Sequence, residues 1–304
     1  MSFSSDVKRE LADIKIESRS SLFSECYGML LFCARFTVRE IVFKTENRYS
    51  AERFEFLLSS AVSPGVFGEN ELTPKNSKQR LYKISVNPEY CKKIYETFGH
   101  TPKDIKLRIN RANLGDESLY PAFLRGVFLC CGSVTNPKSG YHLELSVSHK
   151  TLAENLIHLI NEIEVFSVKP RLALRKGAYI VYLKGNNDIC DFLAYIGAGN
   201  SVMAVIEASA YKEIMNKLNR KQNSELANIK KKADASAKQI LAIKKIIKLK
   251  GIDYLDSDLK ALALLRLNNP DMSLKELGES LQPPISRSGV NHRLERIFKI
   301  ANSL

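Results

Sequence analysis

Two pairs of segments in the first two hundred residues recur at nearly one offset, and a chain that repeats itself at this distance folds as copies of one unit. CYGMLLFCA, from Cys26 to Ala34, shares a glycine and a later cysteine in register with LRGVFLCCG, from Leu124 to Gly132, so that Gly28 and Gly126 lie 98 residues apart, as do Cys33 and Cys131. Further on, NPEYCKKIYETFG from Asn87 resembles NNDICDFLAYIGA from Asn186, with Asn87/Asn186, Glu89/Asp188 and Cys91/Cys190 each 99 apart. The duplication fills about residues 1–210 of a 304-residue chain and leaves room for at least one further folding unit.

Each copy carries both helical and strand periodicity. In the second, Tyr141, Leu143, Leu145 and Val147 alternate with His142, Glu144, Ser146 and Ser148, the period of a half-buried strand, after a turn over 136–140. Leu152, Leu156, Leu159, Ile160 and Ile163 predict a helix over 151–165, followed by β-rich runs at 171–175 and 178–184 and a short helix near 187–197. The first copy has strands at 40–44 and 81–86 and helices over 51–62 and 88–98. The fold class is α+β.

The order helix, strands, helix, strands, helix, opened by a glycine-centred helix, resembles the LAGLIDADG homing-endonuclease fold in its single-chain, two-repeat form; spacing alone leaves any other duplicated α+β domain as the alternative. In that family the two opening helices pack face to face, a role the resemblance gives to Gly28 and Gly126. Its nucleases place an acidic residue at the eighth position of each motif, where the pair binds a divalent metal. Here Cys33 and Cys131 occupy those positions. Magnesium needs hard oxygen ligands, and a thiol is a poor substitute. Glu25 stands at the wrong end of the opening helix, and Glu144 on a strand. No catalytic residue, metal or cofactor is expected, and an active homing-type endonuclease is the disfavoured enzyme alternative. Lys106 and Arg108 alternate with Ile105, Leu107 and Ile109, and Lys169, Arg171 and Arg175 with Val168, Leu172 and Leu174, giving faces that either track phosphates or are merely solvated. The six cysteines contain no CxxC and read as reduced core thiols.

The net charge of +13 is concentrated in one place. Residues 1–210 hold 27 basic and 23 acidic side chains, 211–250 hold 12 and 3, and 251–304 hold 7 and 7. A basic helical connector, expected as a helix pair, therefore lies between two nearly neutral parts, and the domain boundaries fall at 210 and 250. Asn219, Arg220, Asn223, Glu225 and Asn228 form a polar cluster ahead of Lys230, Lys231 and Lys232, which serve either as a phosphate-contacting arm or as a solvated helix face.

The last fifty residues carry the sharpest motif. A helix over 258–267 is followed by Ser273-Leu-Lys-Glu276, a capping box, and by a helix burying Leu274, Leu277 and Leu281. After Gln282-Pro-Pro-Ile285, Ser286 serves as N-cap of a final helix whose inner face is Val290, Leu294 and Ile297. Ser286, Arg287, Ser288, Asn291, His292, Arg293 and Arg296 are left to point outward. A polar, basic second helix of a helix-turn-helix enters the major groove, where Arg pairs with guanine and Asn with adenine. A small helical protein-binding domain is the alternative.

FSSDVKREL, FLRGVFLCCGSV, NPKSGYHLEL, NRKQNSELAN and SLKELGESLQPPISRSGVNHRL occur in this order, and together they make the chain similar to the WhiA family of bacterial transcription regulators. The resemblance implies a degenerate LAGLIDADG-like domain without nuclease function, joined to a helix-turn-helix domain resembling region 4 of sigma factors, in proteins linked to sporulation or to cell division and chromosome segregation. Two departures stand in the connector: Asn223-Ser-Glu225 replaces the usual Asn-Cys-Glu, and lysines at 230–232 and 244–250 make it more basic. The expected function is sequence-specific regulation of transcription through double-stranded DNA, with RNA binding or nucleoid architecture as the alternative. The sequence leaves open whether the N-terminal part contacts DNA or a protein such as a sigma factor or RNA polymerase. No stretch has the apolar length of a membrane span and the first residues lack a secretion signal, so a cytoplasmic, nucleoid-associated protein is expected; its oligomeric state is left open, with a monomer favoured.

Overall fold

The computed structural model describes residues 2–68, 71–76, 79–104, 106–165 and 168–304. The chain divides into two compact units, Met1–Glu213 and Ile214–Leu304.

In the first unit a leading helix α1 (Phe3–Ala12) precedes two copies of one arrangement. The first copy runs α2 (Arg19–Leu31), β1 (Arg35–Phe36), β2 (Ile41–Thr45), α3 (Arg48–Ala61), β3 (Glu71–Asn76), β4 (Gln79–Ser85) and α4 (Pro88–Thr97). The second runs α5 (Tyr120–Cys131), β5 (Gly132–Val134), β6 (His142–Val147), α6 (Lys150–Asn161), β7 (Arg171–Arg175), β8 (Ala178–Lys184) and α7 (Asn186–Tyr195). Each copy forms an antiparallel four-stranded sheet, ordered β1-β2-β4-β3 and β5-β6-β8-β7. Identical strand order in both copies is the structural form of the repeat, and the unit is LAGLIDADG-like.

In the second sheet Leu143, Leu145 and Val147 stand opposite Leu183, Val181 and Tyr179 and face the core, so Glu144, opposite Tyr182, falls on the other face with Arg171 and Arg175. Helix α6 stops four residues short of the expected 165: Ile163 is buried in the turn beyond it and supplies one apolar contact without a further helical turn. Ile105 lies outside the described residues, and Lys106 to Ile109 form no strand.

The two opening helices meet backbone to backbone. A Cβ added at Gly28 would lie 2.3 Å from the carbonyl oxygen of Phe123, and one at Gly126 would lie 2.2 Å from that of Glu25. Any larger residue would push the helices apart, so both positions demand glycine for space. Around this contact Tyr27, Phe123 and Phe128 are fully buried.

Helix α8 (Gly199–Lys250) is one continuous element of 52 residues, not the expected pair, and it starts well before 211. No proline or glycine stands between 200 and 250, and most residues there are good helix formers. Its start is capped from a distance: the Glu10 carboxylate accepts the backbone N–H groups of Asn200 and Ser201 at 2.7 and 2.9 Å and the Ser201 hydroxyl at 2.5 Å. A carboxylate suits the positive end of a helix dipole.

In the second unit α8 is followed by α9 (Ser257–Asn268), α10 (Leu274–Glu279) and α11 (Arg287–Ser303). The capping box at Ser273 forms in both directions, with Ser273 N–H donating to Glu276 Oε2 at 2.7 Å and Glu276 N–H donating to Ser273 Oγ at 3.3 Å. One core joins Ile243 and Ile246 of α8, Leu259 and Leu262 of α9, Leu277 of α10, and Val290, Leu294 and Ile297 of α11. The last turns of the expected connector thus pack into the core of the helix-turn-helix. Among the described residues no helix is long and apolar enough to cross a membrane.

Candidate nucleic-acid interface

Helix α11 starts at Ser286, whose hydroxyl accepts the N–H of Gly289 at 3.2 Å and lies 2.9 Å from the hydroxyl of Ser288. Val290, Leu294, Ile297 and Ala301 are buried. Spacings of four, three and four put these residues on one side and leave Arg287, Ser288, Asn291 and His292 exposed. Asn291 donates to Glu295 Oε1 at 2.8 Å, which holds its side chain along the helix surface.

Two residues expected to point freely outward are engaged. Arg293 Nη2 is 3.0 Å from Asp258 Oδ2, with the Arg293 side chain 24% exposed, and Arg296 Nη2 is 3.2 Å from Asp256 Oδ2. Positions 293 and 296 share the flank of α11 that turns toward the start of α9, where the two aspartates stand. Their charge is offset inside the domain.

The exposed start of α11 joins a groove of about 760 Å³. Lys231 and Lys232 of α8, Lys275 of α10, and Arg287 and Asn291 of α11 line it, with Arg266 of α9 buried in its wall. Residues more than fifty positions apart in the chain, from the basic run of α8 and the final helix, therefore share one surface. Arg220 and Lys230 are exposed on α8 and do not line the groove. The Glu276 carboxyl is held below the ordinary carboxylate range, first by the Ser273 N–H, then by the Ser273 hydroxyl, and further by the charges of Lys232 and Lys275. Lys275 and Arg266 are groove residues that sequence reasoning did not single out. The available signal was an arginine at an inner position of the α9 apolar pattern.

In the first unit Cys33 is buried and its thiol donates to the Arg35 carbonyl at 2.9 Å, while the Cys131 thiol donates to the Val127 carbonyl at 3.3 Å. Burial pushes both thiols up to about 12, so at neutral pH neither is a thiolate. Glu25 is fully buried. Its Oε1 accepts Arg53 Nε at 2.8 Å, and its Oε2 accepts Arg53 Nη2 at 3.0 Å and Arg125 Nε at 2.9 Å. Glu144 is 2.7 Å from His142 Nε2 and 3.0 Å from Arg175 Nη1. Among the described residues no group of three or more His, Cys, Asp or Glu side chains is arranged to hold a metal ion.

Comparison with known proteins matches residues 120–216 to the WhiA LAGLIDADG-like domain and residues 218–301 to the WhiA C-terminal HTH domain. A probable cell division protein WhiA of Clostridium perfringens is 35% identical over 316 residues, covering 100% of this chain and 98% of that protein. One from Thermoanaerobacter sp. is 35% identical over 317 residues, with the same coverage of 100% and 98%. The crystal structure of full-length DUF199/WhiA from Thermotoga maritima is 26% identical and covers 100% of this chain and 99% of that one at a TM-score of 0.61. Full-length relatives and both domain models agree along the chain, and the protein belongs to the WhiA family, with a LAGLIDADG-like domain followed by a helix-turn-helix domain.

Proposed function

We propose that this protein is a sequence-specific regulator of transcription that binds double-stranded DNA and does not cut it. The observation that carries the reading is the exposed start of α11: Arg287, Ser288, Asn291 and His292 leave the surface together, beside the lysines of α8 and α10. Arginine and asparagine there match the acceptor and donor edges of guanine and adenine, while lysines nearby match phosphates. The name of the relatives, probable cell division protein, supports a regulon connected with division.

The absence of cutting is supported by what has become of the carboxylates. Cys33 and Cys131 stand at the two motif positions as neutral thiols, and both Glu25 oxygens are held by arginines. Among the described residues nothing at that place offers the paired hard oxygens that metal-assisted phosphodiester hydrolysis requires.

The test is selection of bound duplexes from a random library at physiological salt, followed by titration of the enriched and scrambled sequences with magnesium present. An enriched motif bound at least tenfold more tightly than its scrambled form, and left uncut, is expected. Equal affinity for all duplexes, or tighter binding to structured RNA, overturns sequence-specific regulation in favour of an architectural or RNA-binding role; chelator-sensitive cleavage overturns the non-nuclease reading.

A further inference from the structure

The groove beside α11 contains a charge that the protein itself does not balance. Arg266 is 2% exposed, and among the described residues it has no acidic partner. Its Nη1 donates to the carbonyls of Asn269, Pro270 and Met272 at 3.4, 3.2 and 2.7 Å, which fastens the turn between α9 and α10, while its Nε is buried with no partner at all. Burial depresses its pKa below the ordinary arginine value. An enclosed cation with an unused donor is costly, and the cost falls when an anion arrives. Around the rim Lys231, Lys232, Lys275 and Arg287 add to this field, against Asp271 in the lining and the Glu276 and Glu279 carboxylates beside Lys232 and Lys275.

We propose that this groove is a phosphate seat, in which Lys231, Lys232, Lys275 and Arg287 take phosphate oxygens at the rim while Arg266 supplies fixed positive charge from the wall. Two features favour phosphate over a carboxylate ligand. The cations approach from three different helices, matching an anion with oxygens on every side rather than a planar one. Lysines provide point charges without the fork geometry that a carboxylate prefers. The phosphate comes either from the backbone of DNA, in which case the proposal deepens the DNA-binding reading and rests on it, or from a free phosphorylated compound, in which case it does not.

The experiment uses the full-length protein, following arginine Nε–Hε signals by NMR during titration with inorganic phosphate, with sodium chloride of equal ionic strength as reference. One arginine signal, identified by Arg266→Lys, is expected to shift saturably with phosphate and not with chloride. In the Lys231→Ala/Lys232→Ala double variant, which removes only exposed side chains, the affinity for phosphate is expected to fall about tenfold or more, the equivalent of one charge-assisted hydrogen bond. Should Arg266→Lys not fold, the signal is assigned instead by through-bond correlation to the Arg266 backbone. A second titration uses the selected duplex. A shift of the same signal that disappears when the contacted phosphates are replaced by uncharged methylphosphonates supports the seat with DNA as its source; a shift with inorganic phosphate alone supports it with a free compound as its source. An Arg266 signal that responds to neither anion, or equally to chloride, overturns the proposal even if the protein binds duplex tightly. Loss of all duplex binding with the phosphate response intact sinks the DNA reading and leaves the seat standing.

Discussion

Glu25 of the first opening helix and Arg125 of the second meet as a buried ion pair, with Arg125 Nε 2.9 Å from Glu25 Oε2, and neither residue has a counterpart in the other repeat. At the offset of 98 that aligns Gly28 with Gly126, Glu25 corresponds to Phe123 and Arg125 to Tyr27. The pair joins the two copies at the place where an ancestral duplication would have been symmetric. Arg53 closes the other side of the carboxylate, and the Arg53 Nη1 also donates to the carbonyls of Ala12 and Ile14. A carboxylate so enclosed holds the fold together and is not free to bind an ion.

Replacing Glu25 by Gln keeps the shape and removes the charge, leaving Arg53 and Arg125 buried at 7% and 9% side-chain exposure without a counter-ion. Breaking a buried pair by removing one partner costs about 3–5 kcal/mol. Urea unfolding of the Glu25→Gln protein should show the first unit losing stability by an amount in that range; a loss of about 0.5 kcal/mol or less would mean that the two arginines find water or other acceptors.

Gly28→Ala should be far more damaging than its size suggests. The new methyl carbon would lie 2.3 Å from the Phe123 carbonyl oxygen, a backbone atom that cannot turn aside. Overpacking of this kind costs about 1–3 kcal/mol. Gly140→Ala provides the control, since a Cβ there meets nothing within 4 Å. Thermal melting should separate the two variants clearly, and equal melting temperatures would show that the opening helices can slide.

The parts of this fold legible in the sequence are those set by local spacing or by repetition. The runs 171–175 and 178–184 are strands with those bounds, the Ser273 and Glu276 capping box forms, and the paired glycines sit where the helices touch. Long-range contacts were not legible. Glu10 caps α8 from 190 residues away, and no local pattern announces such a partner. The same holds at the candidate interface. Helical periodicity separates inner from outer positions of α11, yet whether an outer arginine is free depends on what the neighbouring helix presents. Asp256 and Asp258 claim Arg296 and Arg293, whereas Arg287 has no such partner among the described residues. Charge counts mark α8 as basic but do not reveal that Lys231 and Lys232 share a groove with α11.

His100 gives the first unit a pH dependence. Its ring is nearly enclosed, with Nε2 3.1 Å from the Tyr27 hydroxyl, and burial lowers its pKa below the ordinary 6.5, although Asp104 at 3.7 Å works in the opposite direction. A histidine with a depressed folded pKa binds protons more readily when unfolded, so its contribution to stability is complete above about 6.5 and is lost as pH falls below that value toward the folded pKa. Melting temperatures measured from about pH 7.5 down to about pH 5.5 should fall more steeply for the native protein than for His100→Gln, which has no ring to protonate. Parallel curves would place the acid sensitivity elsewhere.

The two kinds of arginine on α11 make opposite predictions. Arg287 is exposed at the start of the helix beside the lysine-lined groove, so Arg287→Ala should leave the melting temperature unchanged while weakening the selected duplex about tenfold or more and relaxing preference at one base position. Arg293 is tied to Asp258 at 3.0 Å, and Arg293→Ala should cost about 1 kcal/mol or less of stability while leaving the ranking of duplexes intact. Fluorescence anisotropy against the selected duplex and its single-base variants, alongside thermal melting, measures both effects. If Arg293→Ala changes base preference and Arg287→Ala does not, the reading edge of the helix is the flank beside α9, and Asp258 holds back a contact that DNA must first release.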